Sequence, residues 1–162
     1  MHRFALVIAT MGALFFSPIT AQAQSDIVGT WKIKEQYQLV VSTNEKRYVF
    51  GENPIGMATY TKGGHFNIML AAGDRKQAGN VPTDAERAQL HFSMVSYCGT
   101  YKAESNLVTW KLLSAWMPAW VGTERKGKFE VSGNTLTTQS MPFTSTRDNV
   151  EVVTIMKYER ME

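Results

Sequence analysis

From Trp31 onward apolar and polar side chains alternate. Trp31, Ile33, Glu35, Tyr37, Leu39 and Val41 hold the odd positions, and Lys32, Lys34, Gln36 and Gln38 the even ones. A period of two sends successive side chains to opposite faces, so this segment predicts a long half-buried strand with its odd set inward. Residues 46–50 form a second β-rich run, ended by the turn formers Gly51, Asn53 and Pro54. The runs 56–61 and 65–70 flank Lys62-Gly63-Gly64, a hairpin signal, and Phe66, Ile68 and Leu70 share one face of the second arm.

After a polar loop to Pro82 comes Thr83-Asp84-Ala85-Glu86, the pattern of a capping box. The Thr83 hydroxyl can accept from the Glu86 amide while the Glu86 carboxylate reaches back to the Thr83 amide. The predicted helix runs to about Tyr97, with Leu90, Met94 and Tyr97 on one stripe. Beyond Gly99 the β pattern returns at 101–104, 107–113, 123–131, 135–140 and 150–158. Ser105-Asn106 and Ser132-Gly133-Asn134 are turns short enough to force antiparallel neighbours. The pattern therefore predicts an all-β, antiparallel chain of about eight to ten strands and one α-helix, either a sandwich or an up-and-down barrel.

The first 23 residues stand apart. His2-Arg3 precedes an uncharged apolar run from Phe4 to Phe16, and Ala21-Gln22-Ala23 has the small-x-small form read by signal peptidase. This is the pattern of a cleaved export signal, 1–23, leaving a domain over 24–162 that is periplasmic or secreted. The apolar run falls short of the roughly 20 residues that span a bilayer, so no stable membrane insertion is expected. No repeat or linker divides the remainder. With 17 Lys and Arg against 14 Asp and Glu, the net charge of +3 is too small for a nucleic-acid surface. Cys98 is the sole cysteine, so no intrachain disulfide can form and stability must come from a core.

The segments Gly29-Thr30-Trp31, Gly51-Glu52-Asn53-Pro54-Ile55-Gly56, Tyr60-Thr61, Gly63-Gly64, Tyr97-x-Gly99-x-Tyr101 and Pro118-x-Trp120-Val121-Gly122-Thr123 follow one another in an order and spacing that resemble the bacterial lipocalin-like domain family. The resemblance covers roughly 27–160. It implies an antiparallel calycin-type barrel, plugged at one end by Trp31, with an interior able to hold a small ligand. It implies no shared catalytic residues. The chain departs from the family at Val108-Thr109-Trp110-Lys111, where histidine is common, and in the basic Thr123-Glu124-Arg125-Lys126.

Candidate chemistry is sparse. The sequence has no nucleophile elbow, no His-Glu-x-x-His, no phosphate-binding loop and no Cys-x-x-Cys. His65 and His91 are too few and too isolated for a zinc site, so no metal and no cofactor is expected. His65, out of phase with Phe66, Ile68 and Leu70, points to solvent. A helix extended to Cys98 would align it with His91 seven residues earlier and permit a thiolate–imidazole pair, against the plainer alternative of a structural thiol. Trp110, Trp116 and Trp120 form a dense aromatic segment that either fills the core or, with Met94 and Tyr97, lines a cavity mouth. Tyr101 and Phe129 complete the candidate ligand-binding set. Arg125 shares the apolar face of its strand with Phe129 and Val131. It either pairs with Glu35, inward by phase, or receives a ligand carboxylate.

These observations lead to an exported barrel binding a small, mostly apolar molecule. Two alternatives stay open: a cavity enzyme that isomerises or cyclises a hydrophobic substrate by orienting it, and a solid-cored structural or interaction module. The oligomeric state stays open as well. An interior volume of about 300 Å³ or more separates the first two from the third, and Glu35 paired with Arg125 around open space would favour the enzyme.

Overall fold

The computed structural model describes residues 26–77 and 79–162; the predicted export signal lies outside the described residues. The strands are β1 (Gly29–Val40), β2 (Lys46–Arg47), β3 (Ile55–Tyr60), β4 (His65–Ala71) and β5 (Met94–Glu104). They continue with β6 (Leu107–Ala115), β7 (Glu124–Ser132), β8 (Thr135–Ser140), β9 (Phe143–Thr144) and β10 (Glu151–Arg160). Helix α1 (Asp84–Phe92) joins β4 to β5, and a single helical turn, Pro118–Trp120, joins β6 to β7. Strands β1, β3–β8 and β10 pair antiparallel in chain order, and β10 returns to β1, so eight strands close an up-and-down barrel. Closure leaves none of the eight as an edge. The two-residue strands β2 and β9 pair only with β1 and β10 near one rim.

One end is sealed by packing. Trp31 is fully buried and its indole Nε1 donates to the Ile27 carbonyl at 2.9 Å. The Arg160 guanidinium lies 4.0 Å from the Trp31 ring and donates to the Val28 and Asp26 carbonyls. Above this plug, Tyr60, Phe66, Tyr101, Val108, Leu136 and Tyr158 fill the barrel. Tyr60 meets Tyr101 edge to face at 5.1 Å, an arrangement favoured by the ring quadrupoles.

Two irregularities set which side chains point inward. In β1, Ile33 pairs with Tyr158 and Glu35 with Lys157, so Lys34 is an extra, bulged residue. A bulge shifts the alternation by one. Past it, Gln36 and Val40 are buried while Val41 is exposed, reversing the inward odd set predicted beyond Ile33. Between β5 and β6, Cys98 pairs with Ser114 and Gly99 with Leu112, which leaves Leu113 as the extra residue. Gly99 is required there, because a Cβ would lie 1.9 Å from the Lys111 carbonyl oxygen.

The capping box forms as predicted: the Glu86 amide donates to Thr83 Oγ1 at 3.3 Å, and the Thr83 amide donates to Glu86 Oε2 at 2.7 Å. The helix nevertheless stops at Phe92, short of the predicted Tyr97. Residues 90–101 carry two periodicities, Leu90/Met94/Tyr97 for a helix and Val95/Tyr97/Gly99/Tyr101 for a strand. The strand prevails because β4 and β6 supply backbone partners on both sides of residues 97–100. Likewise the predicted strand 46–50 shortens to Lys46–Arg47.

Candidate functional site

The rim opposite the Trp31 plug opens into a cavity of about 860 Å³. Its floor is built by Trp110 and Tyr158, and its walls by Ile68, Leu70, Val95, Tyr97 and Met156. Trp110 lies across the barrel because Gly127 makes room: a Cβ at that position would sit 3.0 Å from the indole rim. The Trp110 Nε1 donates to the Tyr60 hydroxyl at 3.2 Å, and the Tyr158 hydroxyl donates to Met156 Sδ at 3.2 Å. Burial pushes the Tyr97 hydroxyl up to about 12, with Arg125 pulling weakly the other way. Burial also raises Tyr60 and Tyr158, so these phenols stay protonated near neutrality.

The mouth is aromatic. The turn Pro118–Trp120 brings Trp120 to 6.0 Å from both Tyr97 and Trp116, each edge to face. The His91 ring of α1 packs 4.3 Å from Trp116, so the helix flanks the opening. On the far rim Arg147 donates to the Phe92 carbonyl at 2.8 Å and lies 5.7 Å from the Phe50 ring. Phe50 and Phe143 also line the cavity.

Arg125 enters this space from β7. Its guanidinium lies 4.2 Å from the Trp120 ring and 6.0 Å from that of Phe143. It makes no ion pair among the described residues, and its Nε is buried without a hydrogen-bond acceptor. Desolvation lowers its pKa, yet a guanidinium remains charged at any ordinary pH. The expected Glu35–Arg125 pair does not exist. The bulge at Lys34 turns Glu35 to the outside, where it meets Lys46 at 2.7 Å and Lys157 at 2.9 Å. These two ammonium groups hold its carboxyl down at about 2.

Of the residues singled out in the sequence, Tyr97, Trp110, Trp116, Trp120 and Arg125 meet on the cavity wall. Met94, Tyr101 and Phe129 do not. Met94 is on the face of β5 opposite Val95 and Tyr97, since residue 94 is strand rather than helix. Tyr101 points inward at the plugged end, where its hydroxyl donates to the Thr61 carbonyl at 3.0 Å. Phe129 packs within the core itself. The proposed His91–Cys98 pair loses its basis, because the helix ends before Cys98 and the thiol lies in β5 beside Asn67. His65 is exposed, as its phase indicated.

Sequence reasoning passed over several wall residues. Gln36, buried and with its carboxamide oxygen unbonded, was assigned to the outside for want of the bulge. Thr154, Met156 and Tyr158 carried a usable signal, a period of two along the final strand.

A closed eight-stranded barrel, plugged by a tryptophan at the start of its first strand and hollow at the other end, frames one further observation: the family model for the lipocalin-like domain matches residues 28–161. The chain belongs to the lipocalin-like domain family. No curated protein and no solved structure gives a comparable match. The lipocalin-like barrel is a ligand-binding architecture, and here the match runs through every strand that surrounds the cavity. The volume also exceeds the 300 Å³ or so that a solid-cored barrel would lack. The carboxylate–guanidinium pair that would have favoured catalysis does not face it.

Proposed function

We propose that this lipocalin-like barrel is exported and holds a small, mostly apolar molecule in its open-ended cavity. The observation that carries the reading is the cavity itself: about 860 Å³, within the common range for ligand pockets, with aromatic and aliphatic side chains forming the larger part of its lining. Burying an apolar molecule there releases water from both surfaces, at about 25 cal/mol per Å² of apolar area covered. Export is supported by the basic start, apolar run and Ala21-Gln22-Ala23 of the first 23 residues. Sequencing the mature N-terminus from the producing cell tests that part, and an intact Met1 on a cytoplasmic protein refutes it.

Three of the four tryptophans line the cavity, Trp110 at its floor and Trp116 and Trp120 at its mouth, so an occupant alters their surroundings. Titration with an apolar quencher such as a nitroxide-labelled fatty alcohol should therefore quench intrinsic fluorescence saturably. That response should diminish in the double variant Trp116→Phe/Trp120→Phe, which leaves Trp110 at the floor to report. Quenching undiminished in the double variant would place the site elsewhere.

A further inference from the structure

The polar groups of the cavity are unequally matched, and the mismatch specifies a ligand. Two N–H donors flank the Trp120 ring, Arg125 Nε and Trp116 Nε1, and both are buried without an acceptor. Buried donors are ordinarily satisfied, and a desolvated guanidinium without a counter-charge is costly. The Trp120 face offsets part of the guanidinium's cost, but no carboxylate among the described residues pairs with it. The charged residues lining the cavity are Arg125, Lys126, Arg147 and Glu124, an excess of positive charge. Lys126 and Glu124 belong to the exposed phase of β7, and Arg147 already donates to the Phe92 carbonyl. Among the described residues of the cavity, Arg125 is thus the inward-facing cation with neither a carboxylate nor a carbonyl partner, whereas Lys126 is exposed to solvent.

We propose that the ligand carries one carboxylate, that Arg125 holds it, and that its body is a flat, ring-bearing apolar group stacked among Tyr97, Trp116 and Trp120; this rests on the cavity being a ligand site. A carboxylate presents two oxygens in one plane and matches the guanidinium fork, and Trp116 Nε1 offers a further donor. The Trp120 face beneath the guanidinium fixes its plane before the ligand arrives, which lowers the ordering cost of binding. A doubly charged phosphate fits less well, since a single free cation would leave half its charge unmatched in an apolar cavity.

The test uses 1-pyrenebutyrate and its neutral counterpart 1-pyrenebutanol, titrated by pyrene fluorescence into wild type, Arg125→Met, Arg125→Gln and Arg125→Lys. Wild type should bind the acid about 10- to 100-fold more tightly than the alcohol, the range expected of hydrogen bonds to a charged group. Both neutral variants should lose that preference while binding the alcohol within about threefold of wild type, and Arg125→Lys should keep part of it. Wild type alone supplies a second reading, because the preference should disappear when the pH is taken below the ordinary carboxyl range. Equal affinities for acid and alcohol in wild type, or a preference that survives Arg125→Met, overturn the inference and leave the cavity reading standing. Binding of neither probe overturns both.

Discussion

Replacing Gln36 with leucine should make the ligand-free protein more stable. In a regularly alternating β1, Gln36 would face water and its replacement would change stability by no more than about 0.5 kcal/mol. The bulge at Lys34 instead puts it inside, 2% exposed, with its carboxamide oxygen lacking a partner. An orphaned buried acceptor costs about 1 to 3 kcal/mol, and an apolar group of similar volume removes that cost. Cavity water reaching the carboxamide would recover some of it, so the net expectation for Gln36→Leu is a gain of about 1 to 2 kcal/mol. For a domain of this size that is roughly 3 to 5 °C in melting temperature per kcal/mol. Glu35→Leu should do the reverse, since it discards the Lys46 and Lys157 pairs and places a leucine outside the barrel. Urea denaturation of both variants decides the matter, read as a shift in midpoint at constant slope. A destabilised Gln36→Leu beside a stabilised Glu35→Leu would show that β1 has no bulge and that the inward face is wrong.

Glu35 also gives an acid-limb prediction. Its carboxyl is depressed from 4.5 to about 2 by Lys157 and Lys46, so its contribution is complete above pH 4.5 and lost as the pH falls toward 2. Melting temperature should therefore drop between pH 4.5 and 2 more steeply in wild type than in Glu35→Gln, the two curves converging at the acid end; parallel curves would remove the pair from the account. Arg125→Met, having no protein carboxylate to orphan, should melt no lower than wild type at neutral pH. A loss of several degrees by calorimetry would reveal a structural partner for the guanidinium.

What was legible in the sequence divides along physical lines. Strand faces, hairpins and the capping box are local, and Phe66, Ile68 and Leu70 point inward as their alternation indicated. The bulge at Lys34 adds a residue without any mark in composition, so alternation alone puts the side chains of β1 beyond it, from Glu35 to Val40, on the wrong face. At residues 94–97 helix and strand periodicities coincide, and only pairing with β4 resolves them. Depth along the barrel is a third gap. Alternation tells inward from outward, whereas height depends on strand tilt and stagger, which no single strand encodes. Tyr101 and Tyr97 share a face of β5, yet one packs against the plug and the other lines the mouth.

The central claim is that the hollow end of the barrel carries a small molecule in the cell. Native mass spectrometry of the protein purified from its own host, without detergent or added ligand, tests it most directly. The expected spectrum shows a species heavier than the apoprotein by the mass of one small acid, released on denaturation and diminished in Arg125→Met. A protein that repeatedly arrives at its bare mass, and binds no apolar probe when challenged, would contradict it.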